Sequence, residues 1–230
     1  MSQKKPWTET EEPTGTTALT ASEPTLRRLP VYHHYLQSIL DQGRDVISCT
    51  HIATDLKLDP TQVRKDLATT GIVGKPKVGY EISVLLETIE SFLGWNNTHE
   101  AFLVGVGHLG AALLGYSGFS RYGLKIIAAF DTDKAKIGTS LHGIEIRPLT
   151  KLENLARRLR VRMAVMTVPA AEAQAVADLL SESGIEAIWN FAPVQIQVPD
   201  SVIVQHENLA AGLSILSAKL TQLKPRVRSP

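Results

Sequence analysis

The chain has 230 residues, of which 43% are hydrophobic and 20% charged, with a formal net charge of +1. This is the composition of an ordinary soluble protein with room for one large or two small cores, and it excludes a low-complexity or fibrous class. The near-zero charge gives no global attraction for nucleic acid, so any such contact must come from local clusters. The single Cys49 excludes an internal disulfide and a multi-cysteine zinc site. No signal-peptide pattern precedes it, and the expected compartment is the cytoplasm.

Residues 1–24 are rich in Thr, Glu, Ser and Pro and lack apolar periodicity, which predicts a disordered tail. From Leu26 to Gln42 the positions Val31, Tyr35, Leu36, Ile39 and Leu40 predict an amphipathic helix closed by Gly43. A short helix follows Ser48, with Ile52, Ala53 and Leu56 inward and Cys49, at its start, in a structural role. Asp59 as N-cap, Pro60 at the first helical position and Gln62 at the third form a capping box for a helix over 60–69. That helix buries Val63 and Leu67 and projects Gln62, Arg64, Lys65 and Asp66 to other faces.

Two short helices joined by a tight turn predict a helix-turn-helix, and residues 71–81 (GIVGKPKVGYE) read as a hairpin with Lys75 and Lys77 at its tip. The combination is a winged helix. Gln62, Arg64 and Lys65 are the candidates for major-groove contacts, and Lys75 and Lys77 for the backbone or minor groove. His33 and His34 are adjacent on a helix and diverge, so no metal site is expected. A connecting helix over 83–93 ends at Gly94–Trp95–Asn96–Asn97, the expected domain boundary.

The next stretch, Ala101 to Asp131, reads as strand, glycine turn, helix, strand and acidic terminus. Gly105, Gly107 and Gly110 have the G-x-G-x-x-G spacing. The first allows a tight turn, the second lets a pyrophosphate approach the backbone, and the third lets helix and strand lie close. Asp131 falls about twenty residues past the last glycine, where a carboxylate can accept both ribose hydroxyls. It would repel a 2′-phosphate, so NAD(H) is the expected cofactor. The uncharged run 101–120 is long enough to mimic a membrane span, but its glycines follow the fingerprint and no membrane association is expected.

Beyond Asp131 the alternation continues with strands at 144–146, 162–168 and 185–189 and helices at 151–160 and 170–183, a mainly parallel sheet. Ligand loops lie at strand ends, so Val168, Pro169, Asn190 and Phe191 should also line the cleft. The cluster Lys151, Arg157, Arg158, Arg160 and Arg162 reads as a solvated helix face. Leu209, Leu213, Leu216, Leu220 and Leu223 recur at spacings of four and three in a last helix ending before Pro225. A finished sheet leaves that seam unburied, which predicts a two-fold partner by helix packing or exchange. The expected fold is α/β, with a disordered tail at 1–24, a winged-helix DNA-binding domain at 25–95, a Rossmann-type dinucleotide-binding domain at 96–205, and a swapped dimerisation helix and tail at 206–230.

Two rival functions fit parts of this pattern. A nucleotide- or CoA-binding sensor without DNA could use the glycine turn alone, but Asp131 argues against it. A small NAD-dependent dehydrogenase would need a proton-transfer group and a substrate domain, and after Trp189 only a short stretch and one helix remain. The chain is expected not to be an enzyme, with no catalytic residue and no metal.

The segments LPVYHHYLQSIL, QVRKDL, GKPKVGY, GVGHLGAALLGYSGF, AAFDTDKAKIG, TVP, NFAPV and ENLAAGL together resemble the Rex family of redox-sensing transcriptional repressors over residues 26 to 222. The resemblance implies a homodimer on palindromic operator DNA that NADH releases and NAD⁺ does not. It implies that Val63, Arg64 and Lys65 lie in the recognition helix. It also implies that residues Gly105 to Gly110, including Val106, His108 and Leu109, hold the cofactor with Asp131, and that Tyr116 approaches the nicotinamide. Gln37 and Asn208 stand where the family's best-described members have an Arg and an Asp that join the Tyr in a switch contact. Leu209 stands where an aromatic ring enters the partner's pocket. The wing tip, often Lys-Arg-Gly, is Lys75-Pro76-Lys77.

Overall fold

A computed structural model describes residues 21–222. The expected tail before residue 21 lies outside the described residues, as do Leu223 and Pro225. The chain separates between Gly94 and Trp95 into two compact units.

The first unit comprises α1 (Glu23–Asp41), β1 (Val46–Ile47), α2 (Cys49–Leu56), α3 (Pro60–Thr69), β2 (Tyr80–Glu81) and α4 (Ile82–Phe92). Helix α1 starts earlier than the apolar pattern predicts. Ser22 Oγ accepts the Thr25 N–H, and Pro24 sits in the first turn, where a missing N–H is harmless. Residues 23 and 24 therefore belong to this helix, not to a tail. Its inward stripe is Leu29, Tyr32 and Leu36, and Val31 is 51% exposed, a correction to the sequence pattern. Helix α2 is capped by Ser48 and α3 by Asp59, whose Oδ1 accepts the N–H groups of Thr61 and Gln62. The return half of the capping box is absent because the Gln62 amide donates to Asp66.

Asp66 is the second correction. It is 1% exposed and faces α1, not solvent. Thr25, Arg28 and Tyr32 lie on one stripe of α1 and all donate to it. Arg28 Nε reaches Oδ2 at 2.6 Å and Nη2 reaches Oδ1 at 2.8 Å; Tyr32 Oη is 2.7 Å from Oδ2 and Thr25 Oγ1 3.0 Å from Oδ1. A buried charge is tolerated only when paired and hydrogen-bonded in this way. Burial opposes ionisation, but the donations from Arg28, Tyr32, Gln62 and Thr25 outweigh it and hold the carboxyl below the usual range.

Strand β1 pairs antiparallel with β2, while the wing tip closes through reciprocal Lys75–Gly79 backbone bonds. The wing's return strand is thus paired with the residues ahead of α2.

The second unit contains β3 (His99–Val104), α5 (His108–Leu114), a 3-10 turn (Ser117–Tyr122), β4 (Leu124–Asp131), β5 (Ser140–Leu141), β6 (Ile144–Pro148), α6 (Leu152–Leu159), β7 (Met163–Met166), α7 (Ala173–Glu182), β8 (Ala187–Asn190), β9 (Ile203–His206) and α8 (Leu209–Gln222). Among the described residues the sheet has seven strands in the order β5-β6-β4-β3-β7-β8-β9, parallel except for β5. Side chains alternate between its faces. Phe102, Val104, Phe130 and Met166 enter one core with α6 and α7, and Leu103, Ala129 and Val165 enter another with Val106 and Leu114. Strand β9 was not legible in the sequence. The chain crosses from β3 to β4 on one side and continues to β7 on the other, so the switch point of the sheet lies at the C-terminal end of β3. No helix among the described residues is long and apolar enough to cross a membrane.

The Asp66 cluster gives the first test. Because the folded pKa is depressed, its stabilising contribution is present above the unfolded carboxylate value of about 4 and is lost as pH falls through the folded value. Asp66→Asn is expected to destabilise the full chain by about 3 kcal/mol at pH 7, the lower end for breaking a buried pair because Arg28 keeps some solvent. The variant should also lose part of the wild-type pH dependence below pH 4 in thermal unfolding.

Candidate functional site

At the switch point the glycine turn is built as the spacing requires. Gly105 has φ +93°, and a Cβ there would meet the Thr167 carbonyl at 2.9 Å. A Cβ on Gly110 would overlap the Gly105 carbonyl oxygen, whereas one on Gly107 would point into open space. The turn and the ends of β4, β7 and β8 enclose a cleft of about 450 Å³. Of the residues singled out from sequence, Gly105, Gly107, Leu109, Asp131, Val168, Pro169 and Phe191 line it.

Asp131 braces this cleft. Its Oδ2 accepts the Val106 N–H at 2.8 Å and its Oδ1 the Asp133 N–H at 2.8 Å, and Lys136 Nζ lies 3.2 Å from Oδ2. Burial opposes its ionisation, but those three donors prevail and hold the carboxyl below the usual range. Thr167 Oγ1 donates to the Gly105 carbonyl at 2.6 Å and fixes the turn from the β7 side. Thr167, Thr132 and Lys136 also line the cleft and were missed, because a Thr or Lys between strands carries no local signal.

Several expected residues do not line the cleft. Asn190 is fully buried: its Oδ1 accepts the Ala192 N–H, and its Nδ2 contacts the Val194 carbonyl and His206 Nδ1, so it holds the NFAPV turn. Val106 contributes only its N–H, its side chain being core. Gly110 acts through close packing, and the exposed His108 opens α5 without lining the cleft. Tyr116 is 53% exposed and also stands off the lining. It begins an aromatic row in which ring centroids are 4.9 Å apart for Tyr116–Phe119, 5.7 Å for Phe119–Trp189 and 4.8 Å for Trp189–Phe191, so the row ends at the cleft. Trp189 Nε1 donates to Glu207 Oε1 at 3.0 Å. Asn208 Oδ1 accepts the Ala210 N–H at the head of α8, and Gln37 donates within α1 to Asp41.

In the first unit Arg64 and Lys65 are exposed on α3, and Lys75 and Lys77 are exposed on the wing. Gln62 is half-buried with its amide on Asp66, which takes it from the set of free contacts. Every residue of α8 is exposed, with Leu209, Leu213, Leu216 and Leu220 at 69%, 64%, 64% and 66%.

A helix-turn-helix unit with exposed cations, joined in one chain to a parallel-sheet unit with a glycine turn and an acidic residue at the end of the next strand, defines a nucleotide-responsive DNA-binding protein. Curated relatives named redox-sensing transcriptional repressor Rex support that class. The one from Treponema denticola is 46% identical over 201 residues, covering 87% of this chain and 96% of its own. The one from Bacteroides thetaiotaomicron is 41% identical over 198 residues, covering 86% and 90%. The chain belongs to the Rex family of redox-sensing transcriptional repressors. A family model described as "CoA binding domain" matches residues 96–194, and one described as "Putative DNA-binding protein N-terminus" matches 20–68. Among solved structures, RSP in complex with β-NAD⁺ and operator DNA matches with a TM-score of 0.83 and 30% identity, over 88% of this chain and 93% of that one. RSP in complex with β-NADH matches with a TM-score of 0.81 and 30% identity, over 88% and 95%.

The glycines give a paired test. Gly110→Ala is expected to destabilise the chain by about 2 kcal/mol, because backbone must shift to admit the methyl. Gly107→Ala should leave thermal stability within about 0.5 kcal/mol while weakening NADH binding, because its methyl projects only into the cleft mouth.

Proposed function

We propose that this chain is a homodimeric repressor that binds palindromic operator DNA while NADH is scarce and leaves it when NADH fills the cleft. The observation that carries the reading is the cleft itself: a glycine turn at the switch point of a parallel sheet, with Asp131 at the end of the next strand. A solved relative in complex with β-NAD⁺ and operator DNA, and again with β-NADH, supports both ligands. Asp131 favours a free ribose diol and so disfavours CoA, whose adenosine ribose carries a phosphate. Membership of a repressor family supports a non-enzymatic role, and action on operator DNA supports a cytoplasmic location.

The residues divide the work. Gly105, Gly107 and Leu109 receive the pyrophosphate and Asp131 the adenosine ribose, contacts that NADH and NAD⁺ share. They supply affinity without discrimination. Val168, Pro169 and Phe191 lie toward the nicotinamide, where the row from Phe191 to Tyr116 is aromatic. A neutral dihydronicotinamide enters such surroundings at lower desolvation cost than a cationic ring. The ligand shifts the dimer only by its differential affinity for the two states. A swing from 1:99 to 99:1 takes about 5.5 kcal/mol, which two bound NADH can share. Arg64 and Lys65 read the major groove, with Lys75 and Lys77 on the phosphates or in the minor groove.

Alanine at both Arg64 and Lys65 is expected to abolish operator binding in a gel shift and leave NADH affinity unchanged. Retained operator binding would overturn the assignment of α3. The seam Leu209, Leu213, Leu216 and Leu220 joins the subunits. Aspartate at Leu213 and Leu216 should therefore yield monomers by sedimentation that no longer bind DNA, because half-sites about 34 Å apart need two recognition helices.

A further inference from the structure

Lys136 is the one cation among the described residues that line the cleft. Its ammonium lies 3.2 Å from Asp131 Oδ2 and 3.7 Å from Asp133 Oδ2, so it is shared between two carboxylates. A carboxylate oxygen has two acceptor sites. At Oδ2 both are filled, by the Val106 N–H and by Lys136; at Oδ1 the Asp133 N–H fills one. A ribose diol that donates one hydroxyl to each oxygen can be accepted at Oδ1 as it stands, but at Oδ2 it must displace the ammonium. Lys136 then has Asp133, half-exposed and nearby, as its remaining partner.

We propose that Lys136 is a specificity-determining residue that sets how strictly the cleft rejects a 2′-phosphorylated dinucleotide, an inference that rests on the NAD(H) reading above. With Asp131 in place, two carboxylates face one ammonium, and the balance at the ribose position stays negative. A 2′-phosphate is then repelled, and the ammonium moderates the repulsion without reversing it. With Asp131 removed, the ammonium is released beside the position of the 2′-oxygen. It becomes the phosphate's partner, and a charge-assisted bond of this kind is among the stronger polar contacts.

The test is a four-way comparison in the full chain of wild type, Asp131→Asn, Lys136→Ala and the double variant, each titrated separately with NADH and NADPH by dinucleotide fluorescence. Asn at 131 keeps an acceptor for the Val106 N–H, so the glycine turn retains its brace. Wild type is expected to favour NADH, and Lys136→Ala to widen that preference by weakening NADPH. Asp131→Asn should gain NADPH affinity, and the double variant should lose about tenfold of that gain, the factor that 1.4 kcal/mol gives. Lys136→Arg in the Asp131→Asn background should preserve it. Equal NADPH affinity of Asp131→Asn with and without Lys136, in a wild type that binds NADH, would overturn the role of Lys136 alone. A wild type that binds neither dinucleotide would overturn the cleft reading and this inference with it.

Discussion

The carboxylate of Asp131 ties the turn after β3 to the end of β4, and the cleft depends on that tie. Accepting the Val106 N–H fixes a backbone segment that glycine would otherwise leave free, and accepting the Asp133 N–H fixes its own loop. Thr167 secures the same turn from β7, and the close approach of Gly110 to Gly105 secures it from α5. The glycine turn is therefore shaped before any ligand arrives, which reduces the ordering that binding must impose. The group that shapes the site is also the group to which the proposed function gives the ribose.

A second carboxylate, this one buried, does comparable work in the other unit. Asp66 points from α3 into a stripe of donors on α1 and fixes the rotation of α3 about its own axis. That rotation turns Val63 and Leu67 to the core and leaves Arg64 and Lys65 exposed. Well-packed apolar residues could stabilise the contact as effectively, but a bidentate ion pair adds a directional constraint that apolar packing lacks.

What the sequence made legible was whatever local rules govern. The Asp59–Pro60 start of α3, the glycine spacing and the acidic end of β4 each follow from a few neighbouring residues, and each has its expected geometry. The unburied seam of α8 was legible too, because its spacing is regular and the sheet is complete without it. The failures come from side-chain contacts that the local pattern does not encode, whether the partners are near or far in the chain. Asp66 reads as a surface carboxylate until Arg28, thirty-eight residues earlier, is brought to it. Asn190 reads as a cleft residue until His206 and Val194 enclose it, and Lys136 reads as a loop lysine until β4 delivers Asp131. Strand β9 is four residues of alternating exposure, too short to announce itself, and it exists because β8 offers an open edge. Val31 fits the helical period of α1 as well as Leu29 does, and only packing decides between them.

The central claim is that one cleft, sharing most contacts between two redox forms of a ligand, controls occupancy of DNA through the part that differs. The direct measurement is operator binding by the full chain at fixed total dinucleotide while the NADH/NAD⁺ ratio is varied. The account predicts that bound DNA falls as the ratio rises, with the fall displaced to higher NADH when Gly107→Ala weakens NADH binding. Operator binding indifferent to the ratio, in a protein that binds both NADH and the operator, would contradict it.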